Sequence, residues 1–438
     1  MVEKEKRSTE REAGERAVLV GLTLPNQPVS HEHPLEELAR LAETAGAIPV
    51  GRLVQRRARP DPSTYIGKGK AMEVAEMVRE LDADLVITDG DLSPAKLRNL
   101  ERVLDMRVVD RTELILDIFA RHAQSHQARL QVELAQAQYV LPRLRRMWTH
   151  LNREGGTGQS AAIGTRGPGE KQIEIDRRLL RRRIRDLKQS LEAIAARRER
   201  MAASRTEFFK ISIVGYTNAG KSTLLRRLTG EDAYIADQLF ATLDTQTRAW
   251  TLGNSKRVFL SDTVGFIRDL PHHLVASFYA TLEEARVADL ILHVVDASHP
   301  DALLHMDAVD QVLEEVGIGS TPSLLVLNKA DALDDPLVLR SLAADREPEI
   351  ALAVSARTGA GIDELTHAVE RHIRATQSEA EFRLPAGEGK LLAWLSDHGT
   401  IVQRAYEDGM VALRVRLGPA DLARASRMVE ELERKNGQ

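Results

Sequence analysis

A short glycine-rich run between two regular segments restricts the fold of this chain more than any other feature. The apolar segment 209–214 precedes it with the composition of a buried strand, and a helical pattern follows over 223–228. Glycines at this spacing let consecutive backbone N–H groups face one anion, and the helix N-terminus adds a favourable dipole. The sequence therefore predicts an α/β domain with a nucleotide-binding phosphate loop. Its predicted binding residues are Gly215, Tyr216, Thr217, Asn218, Ala219, Gly220, Lys221, Ser222 and Thr223.

Two side chains of this loop have predicted chemical roles. Lys221 is predicted to reach the β- and γ-phosphates, and we assign it to the catalytic set because its charge stabilises the transferred phosphoryl group. Ser222 is predicted to give a hydroxyl oxygen to Mg²⁺, which prefers oxygen ligands. The alternative is a plain glycine turn, and the combination of strand, spacing and helix argues against it.

Two further segments are predicted to complete the phosphate and magnesium site. Asp262 and Gly265 follow the apolar strand 258–261, which places a carboxylate to hold Mg²⁺ through water and a glycine N–H near the γ-phosphate. Upstream, Thr242 lies in a loop predicted to close over Mg²⁺ and the γ-phosphate. We assign Thr242 and Gly265 to the catalytic set, and Thr242 and Asp262 to the metal ligands. Thr245 offers the same chemistry as Thr242, and a solvated loop threonine is the alternative.

The residues that read the base are predicted to follow two later strands. They are Asn328, Lys329, Asp331, Ser355, Ala356 and Arg357. The Asp331 carboxylate can accept hydrogen bonds from N1–H and the exocyclic amine of guanine, whereas adenine offers neither donor there. Ser355, Ala356 and Arg357 are predicted to form a loop whose backbone N–H approaches the guanine carbonyl. Each short motif alone also fits an ordinary turn, but their order and spacing predict GTP and GDP as ligands.

Length and hydrophobic periodicity predict the remaining architecture. A chain of 438 residues is too long for one core and suits about two to four domains. Apolar runs alternate with helical patterns over 17–110, which predicts a parallel sheet with βαβ connections. A helical pattern from 112 to about 148 and a second one after a glycine-rich stretch predict a coiled-coil hairpin of two antiparallel helices. The seam of the second helix is Leu180, Ile184, Leu187, Leu191 and Ile194.

We therefore predict an α/β chain with four parts. An N-terminal α/β domain spans 17–110, and a helical arm with a glycine-rich loop spans 111–205. A Ras-like phosphate-loop GTPase domain spans 206–376. A small α+β domain of βαββα order spans 380–438.

The composition excludes several classes of protein. The absence of cysteine excludes disulfides, thiolate metal sites and cysteine nucleophiles. The sequence has no uninterrupted apolar run of 18 residues, its first residues do not read as a secretory signal, and its histidines lack metal-site spacing. We expect a monomer in the cytoplasm without a membrane span, and peripheral attachment to a membrane stays open.

The net charge of −4 conceals a basic segment. Residues 143–205 contain 17 Lys or Arg and 7 Asp or Glu, a balance of +10, which leaves −14 for the rest of the chain. Counterion release makes such a segment attractive to polyanions. The glycine-rich stretch is flanked by Arg143, Arg145, Arg146, Arg153 and Arg166. We expect this segment to contact RNA. For the helix 177–200, a solvated coiled-coil face is the alternative, and Tyr139 and Trp148 either stack on bases or pack between helices.

Together the phosphate-loop, magnesium and base-reading motifs resemble those of translation-factor-class GTPases. The chain departs from Ras-like members at Phe266, which stands where those members carry the glutamine that orients water. Phenylalanine forms no such hydrogen bond, so intrinsic hydrolysis is expected to be slow. Asn218 lies where cation-dependent GTPases of this kind carry the residue that helps to hold K⁺, which makes K⁺ a candidate cofactor. A loop-stabilising asparagine is the alternative.

Several segments outside the GTPase motifs resemble the signature stretches of HflX-type ribosome-associated GTPases. They lie at 62–69, 110–117, 130–135, 139–144, 164–170 and 176–178. The resemblance implies binding to the large ribosomal subunit and its rRNA in the GTP state and release after hydrolysis. Relatives split stalled ribosomes or act in subunit maturation or hibernation. The alternatives are an RNA-binding maturation, hibernation or helicase-like factor, and a signalling switch without RNA.

A second phosphate site is an open alternative in the N-terminal part. Gly67, Lys68, Gly69 and Lys70 combine glycine with lysine, as phosphate sites do. They lack the full phosphate-loop spacing, which favours a turn entering a helix over 70–81.

Overall fold

The computed structural model describes residues 14–25, 31–144, 168–203, 209–230, 240, 246–253, 257–268, 285–333, 335–344, 351–407 and 409–436.

Four parallel strands form the first sheet, in the order β2-β1-β3-β4. They are Arg16–Thr23 (β1), Ile48–Arg56 (β2), Leu85–Thr88 (β3) and Val108–Asp110 (β4). In β1, Ala17 and Leu19 join one hydrophobic cluster, and Val18 and Val20 join another. A parallel strand with helices on both faces has this continuous apolar sequence, so the predicted parallel sheet is confirmed.

Helices cover both faces of this sheet. They are Glu36–Thr44 (α1), Lys68–Glu80 (α2), Pro94–Leu104 (α3) and Arg111–His122 (α4). Leu38 of α1 and Phe119 of α4 are buried in one cluster, whereas Val74 of α2 and Leu97 of α3 are buried in the other. Helix α2 starts at Lys68, so the glycine–lysine sequence occupies the entry and first turn of a helix.

The pattern predicted as one helix from 112 to about 148 forms two helices, so that prediction was wrong in detail. Helix α4 ends at His122, and α5 spans His126–Val140. Ala123 is extended, and the Ser125 hydroxyl accepts a hydrogen bond from the Ala128 N–H as the N-cap of α5. A 3₁₀ turn, Leu141–Arg143, follows.

Arg143 was predicted to face RNA, and the structure buries it instead. Its guanidinium donates to the Leu92 carbonyl at 2.6 Å and to the Asp110 carboxylate at 3.3 Å, and it lies 3.6 Å from the Tyr139 ring centroid. The Tyr139 hydroxyl donates to Asp110 at 2.9 Å. These contacts fasten the end of α5 to the N-terminal sheet, so Tyr139 has the packing role. Arg145, Arg146, Trp148, Arg153 and Arg166 lie outside the described residues.

Helix α6, Pro168–Ala203, packs against α5. Arg183 of α6 donates to both carboxylate oxygens of Glu133, at 2.6 and 2.7 Å. Of the five predicted seam residues, Leu187 is buried and the other four are half-buried. The arginines between them are exposed, so the predicted apolar seam faces protein.

The second sheet has six strands in the order β10-β9-β8-β5-β7-β6, and only the β6–β7 pair is antiparallel. They are Lys210–Gly215 (β5), Gln246–Thr251 (β6), Arg257–Asp262 (β7), Leu290–Asp296 (β8), Ser323–Asn328 (β9) and Ala351–Ala353 (β10). Its helices are Lys221–Thr229 (α7), Ala302–Glu315 (α8), Leu337–Ala343 (α9) and Ile362–Ala375 (α10). Because β7 and β8 flank β5, the strand order reverses there and opens a crevice at the carboxyl ends of the strands.

The C-terminal part is the βαββα unit that the sequence predicts. Its elements are Ser378–Pro385 (β11), Gly389–His398 (α11), Thr400–Glu407 (β12), Met410–Leu417 (β13) and Pro419–Asn436 (α12). The sheet is antiparallel with β13 in the middle. In the described part of the chain, no helix is both long and apolar enough to cross a membrane. The four predicted domain boundaries stay predictions.

Candidate nucleotide-binding site

The predicted phosphate loop joins the end of β5 to the start of α7, at the crevice of the second sheet. The Lys221 ammonium lies inside the loop and donates to the carbonyls of Gly215 at 3.0 Å and Tyr216 at 2.7 Å. Burial lowers the pKa of Lys221 to about 8, although the Asp262 carboxylate opposes this shift. A phosphate beside the ammonium would favour its charged form, so this buried cation suits an anionic ligand.

Two glycines of the loop are required by its geometry. Gly215 has φ 154°, and a Cβ there would lie 2.1 Å from the Val294 carbonyl oxygen. Gly220 has φ 89°, and its Cβ would lie 2.3 Å from Asn328 Nδ2. Any side chain at either position would collide with a neighbouring strand end, which keeps the loop compact against β8 and β9.

Asn328 connects the predicted base-reading loops to the phosphate loop. Its side-chain amide donates to the Ala219 carbonyl at 2.8 Å, and its side-chain oxygen accepts from the Ala356 N–H at 3.0 Å. Asn328 is buried. The structure thus brings three predicted segments together, and it gives Asn328 contacts to protein on both ends of its amide.

The remaining residues that are predicted to read the base lie beside Asn328. Asp331 is on the 3₁₀ turn Ala330–Ala332, and its carboxylate accepts from Arg357 at 2.5 Å. A hydrogen bond from Ser355, opposed by partial desolvation and assisted by Arg357, holds the pKa of Asp331 below its usual value. The carboxylate is therefore ionised at neutral pH and acts only as an acceptor, as guanine recognition requires. Lys329 has φ 61°, and its ammonium lies 2.7 Å from Asp296.

The predicted magnesium ligands on the described segments converge. The Ser222 hydroxyl donates to the Asp262 carboxylate at 2.8 Å, and Asp262 is buried. A hydroxyl and a carboxylate next to the phosphate loop form the oxygen donor set that Mg²⁺ prefers, so these residues fit the ion. Bound there, Mg²⁺ would neutralise charge on the phosphates. Thr242 and its alternative Thr245 lie outside the described residues.

Gly265 and Phe266 lie directly against the phosphate loop. A Cβ on Gly265 would be 2.8 Å from Thr217 Cγ2 and 3.1 Å from Lys221 Nζ. The Phe266 N–H donates to the Gly215 carbonyl at 3.1 Å, and the Phe266 carbonyl accepts from the Thr217 N–H at 2.8 Å. The Phe266 side chain is buried in a hydrophobic cluster, so this position offers no polar group to an attacking water.

Two residues outside the phosphate loop, Glu37 and Arg268, bind Tyr216 and were not predicted from the sequence. The Tyr216 hydroxyl donates to Glu37 at 2.5 Å and accepts from the Arg268 N–H at 2.8 Å. Glu37 belongs to the N-terminal domain, and Tyr216 was predicted to contribute through its position in the loop. A tyrosine inside a phosphate loop is the only signal of these contacts in the sequence.

Four family models match consecutive parts of the chain. Their descriptions are GTP-binding GTPase N-terminal over 32–120, GTP-binding GTPase Middle Region over 122–205, 50S ribosome-binding GTPase over 210–329 and HflX C-terminal domain over 340–438. The GTPase HflX of Escherichia coli (strain K12) is 44% identical over 418 residues, covering 94% of this chain and 96% of that protein. The chain belongs to the HflX family of GTPases. It is therefore a GTPase that binds guanine nucleotide and converts GTP and water to GDP and phosphate.

Other HflX proteins match over similar lengths. The GTPase HflX of Lacrimispora saccharolytica is 43% identical over 403 residues, which cover 91% of this chain and 93% of that protein. Among solved structures, a GTP-binding protein from the hyperthermophilic archaeon Sulfolobus solfataricus in complex with GDP is 26% identical. The match covers 82% of this chain and 98% of the archaeal protein's chain, with a TM-score of 0.42.

We expect K⁺ to stimulate GTP hydrolysis by this HflX-family GTPase through Asn218. Asn218 is an exposed residue of the loop with φ 60°, which leaves its side chain at the surface of the phosphate site. A cation held there would stabilise charge in the transition state, and removing one such group costs about 100-fold. We therefore expect hydrolysis in KCl to exceed that in NaCl by about 10-fold or more.

The matched variant is Asn218→Gly, because glycine keeps the left-handed backbone and removes the amide. It should hydrolyse GTP at equal rates in the two salts. Equal rates in the unsubstituted protein would contradict the K⁺ assignment and favour a loop-stabilising asparagine.

Proposed function

We propose that this HflX-family GTPase binds the large ribosomal subunit in its GTP state and is released after hydrolysis. The observation that carries this proposal is the basic surface of α6. Its exposed cationic residues are Arg178, Arg181, Arg182, Arg183, Arg185, Lys188 and Arg197. The match of residues 210–329 to a family described as 50S ribosome-binding GTPase supports the same partner.

The arrangement of α6 favours RNA contact over a purely structural role. Its apolar seam faces protein, and of the cationic residues named above, Arg183 is bound to Glu133. A coiled-coil face needs only enough charge to pair with its partner helix. Residues 177–200 contain 10 basic and 3 acidic residues, and such an excess suits contact with RNA phosphates.

The nucleotide site supplies the switch in this proposal. Lys221 and the Gly265 N–H bind the γ-phosphate, and Thr242 closes over it. Ser222, Thr242 and Asp262 hold Mg²⁺. Hydrolysis removes the γ-phosphate and with it the contacts that keep the loops closed. These assignments stay predictions, as do the monomeric state and the cytoplasmic location.

The proposal is tested by sedimentation of the full chain with ribosomal subunits. We expect co-sedimentation with the large subunit in GTP or a non-hydrolysable analogue, and little in GDP. Addition of large subunits should also raise the rate of GTP hydrolysis. Binding that is indifferent to the nucleotide, or no stimulation, would contradict the proposal.

A subunit-dissociation assay on intact ribosomes then separates the outcomes of binding. Dissociation in GTP supports ribosome splitting in rescue or recycling. Binding without dissociation supports a maturation or hibernation role on the same subunit. Binding that does not change with salt would instead indicate a signalling switch without RNA.

Charge reversal on the arm should weaken binding to the large subunit. In the double variant Arg181→Glu with Arg185→Glu, two exposed cations one helical turn apart become anions. Loss of two phosphate contacts should lower affinity and reduce the slope of log affinity against log salt by about 1 per contact. The measurement is co-sedimentation across a salt series.

The control makes the same charge change on the GTPase domain. Arg340 of α9 and Arg371 of α10 are also exposed helix residues, and their double change to Glu should leave the salt slope unaltered. Equal losses in the two double variants would show that the arm has no special part in binding.

A further inference from the structure

The carboxylate of Glu37 lies at the contact between the N-terminal α/β domain and the GTPase domain. It projects from α1, and its side chain is 12% exposed. One oxygen accepts from the Tyr216 hydroxyl at 2.5 Å. The other accepts from Arg268 Nε at 3.2 Å and Nη2 at 3.1 Å, and lies 3.2 Å from Arg111 Nη2. Three donors from two domains therefore meet on one buried carboxylate.

Arg111 completes the balance of charge around Glu37. Its Nη1 donates to Asp89 at 2.7 Å, and its Nη2 donates to the Arg268 carbonyl at 3.1 Å. Burial opposes ionisation of Glu37, but Arg111 and Arg268 hold the pKa of its carboxyl below the usual value. Two arginines thus face two carboxylates, and removal of Glu37 would leave Asp89 as the one carboxylate of this group.

Tyr216 connects this carboxylate to the lysine of the phosphate loop. Its hydroxyl binds Glu37, while its backbone carbonyl accepts from Lys221 at 2.7 Å. The ring stacks on His305, with centroids 3.8 Å apart and planes 6° apart. Burial lowers the pKa of His305 to about 4, so the stacked imidazole is neutral at pH 7. The ring is held on its face and at its hydroxyl.

Arg268 connects the same carboxylate to the segment that follows Asp262. It lies three residues after Gly265, and its N–H donates to the Tyr216 hydroxyl. Between them, Phe266 exchanges backbone hydrogen bonds with the phosphate loop. Glu37 therefore binds both protein segments that are predicted to hold the γ-phosphate.

Apolar packing makes this contact continuous with the core of the N-terminal domain. Phe119 of α4 meets Phe240 edge to face, with ring centroids 4.6 Å apart. Phe240 precedes the predicted Thr242 by two positions. Tyr216, Phe240 and Phe266 belong to the hydrophobic cluster that also contains Leu38. The N-terminal domain thus packs on the loops of the nucleotide site.

We propose that Glu37 is a positioning residue for GTP hydrolysis. Through Tyr216 and Arg268 it holds the phosphate loop and the segment after Asp262 in register, so that Lys221 and the Gly265 N–H meet the γ-phosphate together. The N-terminal domain is then a structural part of the GTPase site. This inference uses the GTPase reaction and is independent of ribosome binding.

The test is single-turnover hydrolysis by the full chain at saturating GTP, with separate measurement of GTP and GDP dissociation constants. Glu37→Ala should lower kcat by about 10- to 100-fold, because small displacements of catalytic groups cost up to about that much. GDP affinity should change by less than about 2-fold, since GDP lacks the γ-phosphate. Glu37→Gln should lie between Glu37→Ala and the unsubstituted protein, because its amide oxygen still accepts a hydrogen bond but carries no charge.

The adjacent Glu36 gives a matched control. Its carboxylate accepts from Arg52 of the N-terminal sheet at 2.7 Å, and Glu36→Ala should keep the unsubstituted kcat. Tyr216→Phe removes the hydroxyl that Glu37 binds, so its effect and that of Glu37→Ala should be strongly non-additive in a double-mutant cycle.

Three results would overturn the proposal. One is an unchanged or raised kcat in Glu37→Ala, and another is an equal loss of GTP and GDP affinity with kcat retained. The third is simple additivity with Tyr216→Phe. Should Glu37→Ala fail to fold by circular dichroism, Glu37→Gln and Tyr216→Phe decide the question: a lowered kcat with retained GDP affinity supports the proposal, and an unchanged kcat overturns it.

Discussion

Replacement of Lys221 by alanine is expected to abolish GTP turnover while the fold stays intact. The lysine ammonium is the buried cation of the phosphate loop. Such donors stabilise the negative charge of the transferred phosphoryl group in the transition state. Loss of one preorganised donor costs about 100- to 1,000-fold, and the loss of a full charge is expected to cost at least as much. The fold should tolerate the change because burial already disfavours this charge, as its lowered pKa shows. The measurement is single-turnover GTP hydrolysis, with circular dichroism as the check of folding.

Lys210 is the matched control for this variant. It lies at the start of β5, five residues before Gly215, and its backbone N–H binds Asp289 away from the loop. Lys210→Ala should hydrolyse GTP at the unsubstituted rate. Normal turnover by Lys221→Ala would show that the phosphate-loop assignment is wrong.

Replacement of Asp331 by asparagine should change the preferred base from guanine to xanthine. Asparagine presents an N–H where aspartate presents only acceptors, and xanthine has a carbonyl where guanine has its exocyclic amine. A site that mismatches a polar group of its ligand loses affinity by roughly 100-fold or more. We therefore expect GTP to bind roughly 100-fold more weakly and xanthosine triphosphate to bind better than to the unsubstituted protein. Competition binding with the two nucleotides measures this directly.

Asp335 provides the matched control for the change at Asp331. Its carboxylate accepts from the Leu337 N–H at 2.8 Å at the start of α9, and asparagine can accept the same bond. Asp335→Asn should therefore retain the preference for GTP. If Asp331→Asn retained it as well, Asp331 would not be the residue that reads the base.

The parts of the site that local sequence could predict are those made by neighbouring residues. An apolar strand, glycines at fixed spacing and a following helix specify the phosphate loop within about 20 residues of chain. The seam of α6 was predictable for the same reason, because helical periodicity is local. Strand β6 was not predicted because it is an edge strand with mostly exposed or half-buried residues, so it has no apolar run to reveal it.

The long-range contacts could not be read from the sequence. Glu37 is 179 residues from Tyr216 and 231 residues from Arg268, and only the packing of two domains brings them together. On α1, Glu36 and Glu37 are adjacent acidic residues with the appearance of an ordinary first turn. The sequence alone does not indicate that Glu37 has a different role from Glu36. The structure distinguishes them, because the Glu37 side chain is the more deeply buried of the two. The break between α4 and α5 had a weak local signal in Ser125, which the helical periodicity on both sides concealed.

Helix α5 is attached to the N-terminal domain at both of its ends. A three-residue link joins its start to α4, and the contacts of Tyr139 and Arg143 with Asp110 hold its end. At 15 residues it is about 22 Å long, whereas α6, with 36 residues, is about 54 Å long. Helix α6 is therefore more than twice as long as α5, the described helix that packs along it. A rotation by about 5° displaces a point 54 Å away by about 5 Å, so a small rotation of the N-terminal sheet would be enlarged along the length of α6.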